Sequence, residues 1–172
     1  MTTVLGIDPG SRITGFGLVE LVTGSRPRYL ASGCIRVESE TLPQRLHEIY
    51  MGVCSIVNTY SPQEVAIEKV FVKNNVDSAL KLGQARGAAL VALSSCELAV
   101  HEYAPAEIKQ AIVGRGNAAK SQIQHMVCAL LSLPTPPQAD AADALAAALC
   151  HAFARGNRTR RAEALAASEA SA

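Results

Sequence analysis

Val4-Leu5-Gly6-Ile7-Asp8-Pro9-Gly10-Ser11 begins with four apolar residues and ends on a carboxylate followed by a turn. Four apolar residues in a row fit a buried strand, and Asp-Pro-Gly stops it, since proline fixes φ and glycine lets the chain reverse. Two more strands are predicted in Gly15-Phe16-Gly17-Leu18-Val19 and Tyr29-Leu30-Ala31-Ser32-Gly33-Cys34-Ile35, joined by the hairpin turn Thr23-Gly24-Ser25-Arg26-Pro27. From residue 43 the spacing becomes helical: Leu46, Ile49, Tyr50, Val53, Ile56 and Val57 share one face until Ser61-Pro62. Glu64-Val65-Ala66-Ile67-Glu68-Lys69-Val70-Phe71 reads as the next strand, and 77–95 as a helix capped by Asp77 or Asn75. Leu98-Ala99-Val100-His101-Glu102-Tyr103 is a fifth strand, and helices follow near 106–112, 118–131 and 139–154. Hairpin order followed by alternating helices and strands predicts an α/β fold, a five-stranded mixed sheet flanked by helices on both faces. The domain is expected to span 1–155. The polar stretch 156–172 is expected to be a flexible tail or a frayed helix.

At 172 residues the chain is the size of one ordinary domain. Aromatic residues are scarce (4%) and Trp is absent, so Ala, Val, Leu and Ile must do most of the packing. A net charge of +1 points to no partner, and a nucleic-acid role would need positive charge gathered locally. The five cysteines are odd in number, scattered and without a CxxC pair, which argues against a zinc or redox motif and suits a reducing compartment. Asp8-Pro9-Gly10 interrupts the first apolar run before a signal-peptide h-region could form, and no stretch is long enough to span a bilayer. A cytoplasmic location is expected.

Chemistry is carried by carboxylates in apolar surroundings. Asp8 ends a strand that should be central, although Asp in a turn can simply bond to the backbone. Glu68 interrupts Val65-Ala66-Ile67-Glu68-Lys69-Val70. It could face water in a half-exposed strand, but between two covered faces it would need a cation or hydrogen-bond partners. Asp140 and Asp143, in Gln138-Ala139-Asp140-Ala141-Ala142-Asp143-Ala144-Leu145-Ala146, project from one face of a helix otherwise built of Ala and Leu. The helix dipole would account for Asp140 and explains Asp143 poorly. Four carboxylates from three distant segments form an oxygen-only set of the kind that Mg²⁺ or Mn²⁺ requires, and a pair of such ions can drive phosphodiester hydrolysis. His47, His101, His125 and His151 have ordinary solvation or packing explanations.

Five blocks in this order resemble the RuvC family of Holliday-junction resolvases. They are Leu5-Gly6-Ile7-Asp8-Pro9-Gly10-Ser11-Arg12 with Thr14-Gly15, Ala66-Ile67-Glu68-Lys69-Val70-Phe71, and Asp77-Ser78-Ala79-Leu80-Lys81-Leu82-Gly83-Gln84-Ala85-Arg86-Gly87. Lys120-Ser121-Gln122-Ile123-Gln124-His125-Met126 and Gln138-Ala139-Asp140-Ala141-Ala142-Asp143-Ala144-Leu145 complete them, and the similarity covers about residues 4–151. The resemblance implies an RNase H-like fold and a homodimer that nicks two symmetrically related strands of a four-way DNA junction. It also implies Asp8, Glu68, Asp140 and Asp143 as catalytic metal ligands, with two Mg²⁺ (or Mn²⁺) ions per site in a hydrolase of DNA recombination and repair. Cooperation with the RuvA–RuvB branch-migration complex follows by resemblance alone.

Lys73, Lys81, Arg86, Lys109 and Arg115 lie between Lys69 and Lys120 and could line a phosphate-binding track, although a single lysine more often belongs to a solvated face. The resemblance favours Lys109 and Lys120 near the cut strand. It also favours Phe71 as a side chain that stacks on an unpaired base, where core packing is the other explanation. The small residues of 77–95, among them Gly83 and Gly87, permit close approach of another helix, within the chain or across a dimer two-fold. A rival assignment remains open at this stage: Gly6-Ile7-Asp8-Pro9-Gly10-Ser11 also resembles the first phosphate loop of actin-like ATP-binding phosphotransferases, which need two domains around their nucleotide.

Overall fold

The computed structural model describes residues 1–22, 24–70 and 76–169, the stretch 159–169 as helical backbone only. Its elements run β1 (Thr2–Asp8), β2 (Ile13–Leu21), β3 (Arg28–Arg36), α1 (Leu42–Tyr60), β4 (Glu64–Glu68), α2 (Val76–Ser95), β5 (Val100–Tyr103), α3 (Pro105–Val113), α4 (Lys120–Leu131) and α5 (Ala139–Glu169). The strands form one sheet in the order β3-β2-β1-β4-β5. β1 pairs antiparallel with β2, and β2 with β3, while β1–β4 and β4–β5 are parallel. This is the mixed sheet expected from the sequence.

Alternation along the central strands divides the core in two. Leu5 and Ile7 of β1 and Val65 and Ile67 of β4 face α1 and α2, where Ile49, Val53, Ala85, Ala89 and Leu93 meet them. Val4 and Ala66 face the other way, towards α3, α4 and α5, and join Ile108, Ile123, Val127, Leu145 and Leu149. Helices therefore cover both faces, and β1 and β4 are buried strands.

α5 is the central helix of the second layer, with Ala144, Leu145, Ala146, Ala147, Ala148 and Leu149 fully buried. It lies closer to the sheet than side chains would ordinarily allow, because the strand residues beneath it have none. A Cβ built on Gly6 would stand 1.9 Å from the carbonyl oxygen of Ala144, and one on Gly15 would stand 2.0 Å from that of Asp140. A Cβ on Gly17 would meet the Leu145 side chain at 2.6 Å. Glycine in the strands and alanine on the helix thus set the depth at which α5 rests.

Local signals explain most element ends. Proline stands in the first turns of α1 and α3, and those helices stop at Ser61 (φ 45°) and Gly114 (φ 78°), both left-handed. Glu107 accepts the Ala104 N–H at 2.7 Å and Gln122 accepts the Ala119 N–H at 2.9 Å, which satisfies a free donor at the start of α3 and of α4. Three features differ from the sequence expectation. Asp77 lies inside the first turn of α2 and bonds Lys81 at 2.6 Å instead of capping the helix, and Asn75 lies outside the described residues. β4 stops at Glu68. α5 continues to Glu169, beyond the 139–154 expected for that helix. Cys150 is buried and the other four cysteines are half-buried, all as free thiols. No helix among the described residues is long and apolar enough to cross a membrane.

The contact beneath α5 is testable. Gly6→Ala should destabilise the protein by about 1–3 kcal/mol or more through overpacking. Gly156→Ala, where a new Cβ meets nothing within 4 Å, should stabilise it by about 0.5–1 kcal/mol. Urea unfolding of both variants measures the contrast, and similar values for the two would refute the packing account.

Candidate active site

Asp8 is the last residue of β1 and Glu68 the last of β4, two parallel neighbours held in register by Ile7 opposite Ile67. Each stands two residues beyond a position already turned towards α5, Gly6 for one and Ala66 for the other, so both carboxylates project on the α5 side. β2 supplies the third constraint. Gly15 pairs with Asp8 across the β1–β2 ladder, and the space its absent side chain leaves is where the Asp140 backbone sits. The first turns of α5 are thereby set down beside the end of β1, carrying Asp140 and Asp143.

These four carboxylates act on one another. The Asp8 carboxyl is pushed up from an ordinary 3.8 to about 8, first by burial and then by the negative charges of Glu68, Asp143 and Asp140, with Lys120 opposing. Glu68 is raised as well, by burial and by Asp143, while Lys120 and Lys109 pull it down. Lys120 donates to Asp143 Oδ2 at 3.1 Å, and this bond raises the lysine's own proton affinity. The lysine is 75% exposed and its partner 15%, so a solvated cation stands at the mouth of a recessed acidic group. One ammonium does not neutralise four carboxylates. An oxygen-only donor set with surplus negative charge suits a hard divalent cation, and any of the four could contribute ligands.

The other expected site residues are placed less uniformly. Lys109, half-buried on α3, acts electrostatically on Glu68. Arg86 is committed to the fold, with Nε on the Glu68 carbonyl at 3.3 Å and its guanidinium paired with Glu102. Lys81 lies on the exposed surface of α2 with Asp77. Phe71 and Lys73 lie outside the described residues. Lys120 begins α4, where the helix dipole disfavours a cation, and Asp143 is the counter-charge that the sequence did not reveal.

Among the described residues, the trio whose candidate metal-ligating atoms all lie within 4.8 Å of one another is a different group: Glu64, His101 and His151. By sequence these histidines have ordinary solvation or packing explanations. The usable signal was Glu64, four residues before Glu68 and hence on the same strand face.

The sequence matches the profile of the family described as "Crossover junction endodeoxyribonuclease RuvC" over residues 4–151. The chain belongs to the RuvC family. It is 57% identical over 158 residues to the family member of that name from Chromohalobacter salexigens, covering 92% of this chain and 84% of that protein. The relative of the same name from Hahella chejuensis is 60% identical over 151 residues, covering 88% and 87% of the two chains. Among solved structures, Thermus thermophilus RuvC in complex with a Holliday junction substrate superposes with a TM-score of 0.83 at 35% identity, over 90% of this chain and 95% of that one. The yeast mitochondrial Holliday junction resolvase Ydc2 shares the fold, with a TM-score of 0.60 at 10% identity over 86% and 77% of the two chains. The RNase H-like architecture implied by the sequence resemblance is the one observed.

The charge crowding at Asp8 has a measurable effect on stability. A carboxyl whose proton is held more tightly in the folded state favours folding below the ordinary carboxylate range, and this advantage is lost as pH rises through about 8. In EDTA at pH 8–9, Asp8→Asn should therefore be more stable than the parent protein by about 1–3 kcal/mol, discounted for solvent screening. The gain should shrink as pH falls towards 4, and a gain independent of pH in urea titrations would disprove the crowding.

Proposed function

We propose that this RuvC-family chain is a divalent-metal-dependent endonuclease that resolves four-way DNA junctions by paired, symmetric nicks. The observation that carries this reading is the convergence of Asp8, Glu68, Asp140 and Asp143 where the ends of β1 and β4 meet the start of α5. The junction-bound relative from Thermus thermophilus supports the choice of substrate.

Asp8, Glu68, Asp140 and Asp143 would hold two Mg²⁺ or Mn²⁺ ions. When bound, such ions activate a water towards the phosphodiester and stabilise charge on the departing 3′-oxygen. The protein's own part is to keep the four carboxylates preorganised, so that little reorganisation is left for the reaction. Lys120 steadies Asp143 with one of its three ammonium protons, and the exposed remainder meets a backbone phosphate. Lys109 acts on Glu68 through its charge. Arg86 does not read DNA in this scheme. It fixes the end of β4 through the Glu68 carbonyl.

Paired nicking needs two active sites, and α2 supports a homodimer. Val76, Leu80 and Val91 are 80%, 61% and 58% exposed on its outer face. Gly83 and Gly87 fall on the same stripe by helical spacing, with nothing within 4 Å of a Cβ added at either. A second copy of the helix could approach closely there. Leu80→Glu should shift the protein from dimer to monomer in analytical ultracentrifugation. A dimer of unchanged strength would move the interface elsewhere.

The catalytic assignment is tested on matched four-way, three-way and linear duplex substrates. With Mg²⁺, Asp8→Asn should lose four-way cleavage by at least about 1000-fold while retaining junction binding in gel-shift assays. Cleavage by that variant at the parental rate would defeat the assignment, and equal cleavage of all three substrates would defeat the junction specificity.

A further inference from the structure

Glu64 and Glu68 bracket β4 and share its α5-facing side, but they belong to different groups of side chains. From Glu64 the distance to Glu68 is four strand residues, about 13 Å. From Asp143 to His151 it is eight helical residues, about 12 Å. The two groups therefore lie at opposite ends of the same strand–helix contact, too far apart to share an ion.

At the Glu64 end, three elements converge. His151 of α5 is fully buried. Its Nε2 lies 2.6 Å from Glu64 Oε2 and its Nδ1 lies 2.7 Å from the Tyr103 hydroxyl. Arg155 donates to the second oxygen of Glu64 at 2.7 Å. His101 of β5 stacks on His151 with ring centroids 4.3 Å apart. A buried relay of Tyr103, His151 and Glu64 accounts for His151 as a satisfied core residue. It leaves His101 outside, held by its ring while offering a nitrogen within 4.8 Å of the ligating atoms of both others.

We propose that Glu64, His101 and His151 form a second metal site, separate from the four-carboxylate centre, that takes a transition-metal ion of the zinc class. Two imidazoles and one carboxylate make a set that borderline ions such as Zn²⁺ prefer, with a position left open for water. Mg²⁺ avoids nitrogen ligands, so the two sites sort ions by chemistry. The outer partners are in place. Metal-ligating histidines usually donate their other ring N–H to a neighbour, and Tyr103 stands at His151 Nδ1. On binding, the single proton of the neutral ring moves from Nε2 to Nδ1, the Tyr103 oxygen becomes its acceptor, and the Nε2 lone pair turns to the ion. Arg155 keeps Glu64 Oε1 and leaves Oε2 free. Glu64 and His101 are half-buried, which gives the ion a path that fully buried His151 does not.

Opposing charges set the strength. Arg155 on Glu64 and Arg158 near Tyr103 and His151 repel a divalent ion, and Glu107 beyond Tyr103 offsets part of this. Binding weaker than in a closed structural zinc site follows. The ion would join β4, β5 and α5 and raise thermal stability while leaving the Mg²⁺ dependence of the carboxylate centre unchanged. Ion binding at Glu64, His101 and His151 does not depend on the nuclease reading.

The test is titration of the full chain with ZnCl₂, and with Co²⁺ followed by its visible absorption, both in excess Mg²⁺. One ion per chain and a raised Tm are expected. Asp8→Asn should bind equally well, which separates this site from the carboxylates. His101→Phe, which keeps an aromatic ring on His151 but removes the ligand, and Glu64→Gln should each weaken binding at least roughly 100-fold, with circular dichroism confirming the fold. The proposal is overturned if the parent protein shows no stoichiometric binding, if His101→Phe binds as the parent does, or if Asp8→Asn is the variant that loses the ion.

Discussion

A helix can hold its own carboxylates against one on a neighbouring strand only if nothing keeps it at arm's length. Helices usually pack on sheets through the thickness of two layers of side chains. Here Gly6, Gly15 and Gly17 remove the lower layer and the alanines of α5 thin the upper one. Backbone then lies almost on backbone, with the Asp140 carbonyl over the gap left at Gly15, the ladder partner of Asp8. Both hydrophobic layers serve this contact. α1 and α2 bury the far face of β1 and β4, and α3 and α4 press α5 down.

The same closeness creates an electrostatic burden. Residues that attract nothing but cations are recessed together, and burial first, then the neighbouring charges, push the Asp8 carboxyl up to about 8. Part of the fold's stability is spent on keeping this arrangement, as is common where a site is shaped for chemistry rather than for stability. Lys120 and Lys109 limit the burden without removing it.

Much of this was legible in the sequence because it depends on local periodicity. The apolar run before Asp8, the one-sided spacing of α1 and the proline-bounded start of α5 gave the elements and their order. The four carboxylates stood out because each interrupts a run of small or branched apolar residues. What escaped depends on contacts between distant segments. Asp143 pairs with Lys120, and His151 meets Glu64 across 87 positions of sequence. Arg86 read as a candidate for phosphate because its partners, Glu102 and the Glu68 carbonyl, lie on strands that only the fold brings to α2. The length of α5 has another cause: beyond residue 156 it lacks the apolar residues that mark a packed helix, yet Ala, Arg and Glu have high helix propensity.

The parallel pairing of β4 with β1 has a consequence for how the chain can fail. Glu64 and Glu68 lie on one side of the strand while Val65 and Ile67 lie on the other, matched to Leu5 and Ile7. Slippage by one residue would turn both acids into the greasy layer beneath α1 and α2 and push two branched side chains against α5. No half-correct version is available, because both ends of β4 go wrong together. A mispaired chain would therefore remain open and unpacked, within reach of proteases and chaperones, instead of persisting as a well-folded but inert protein.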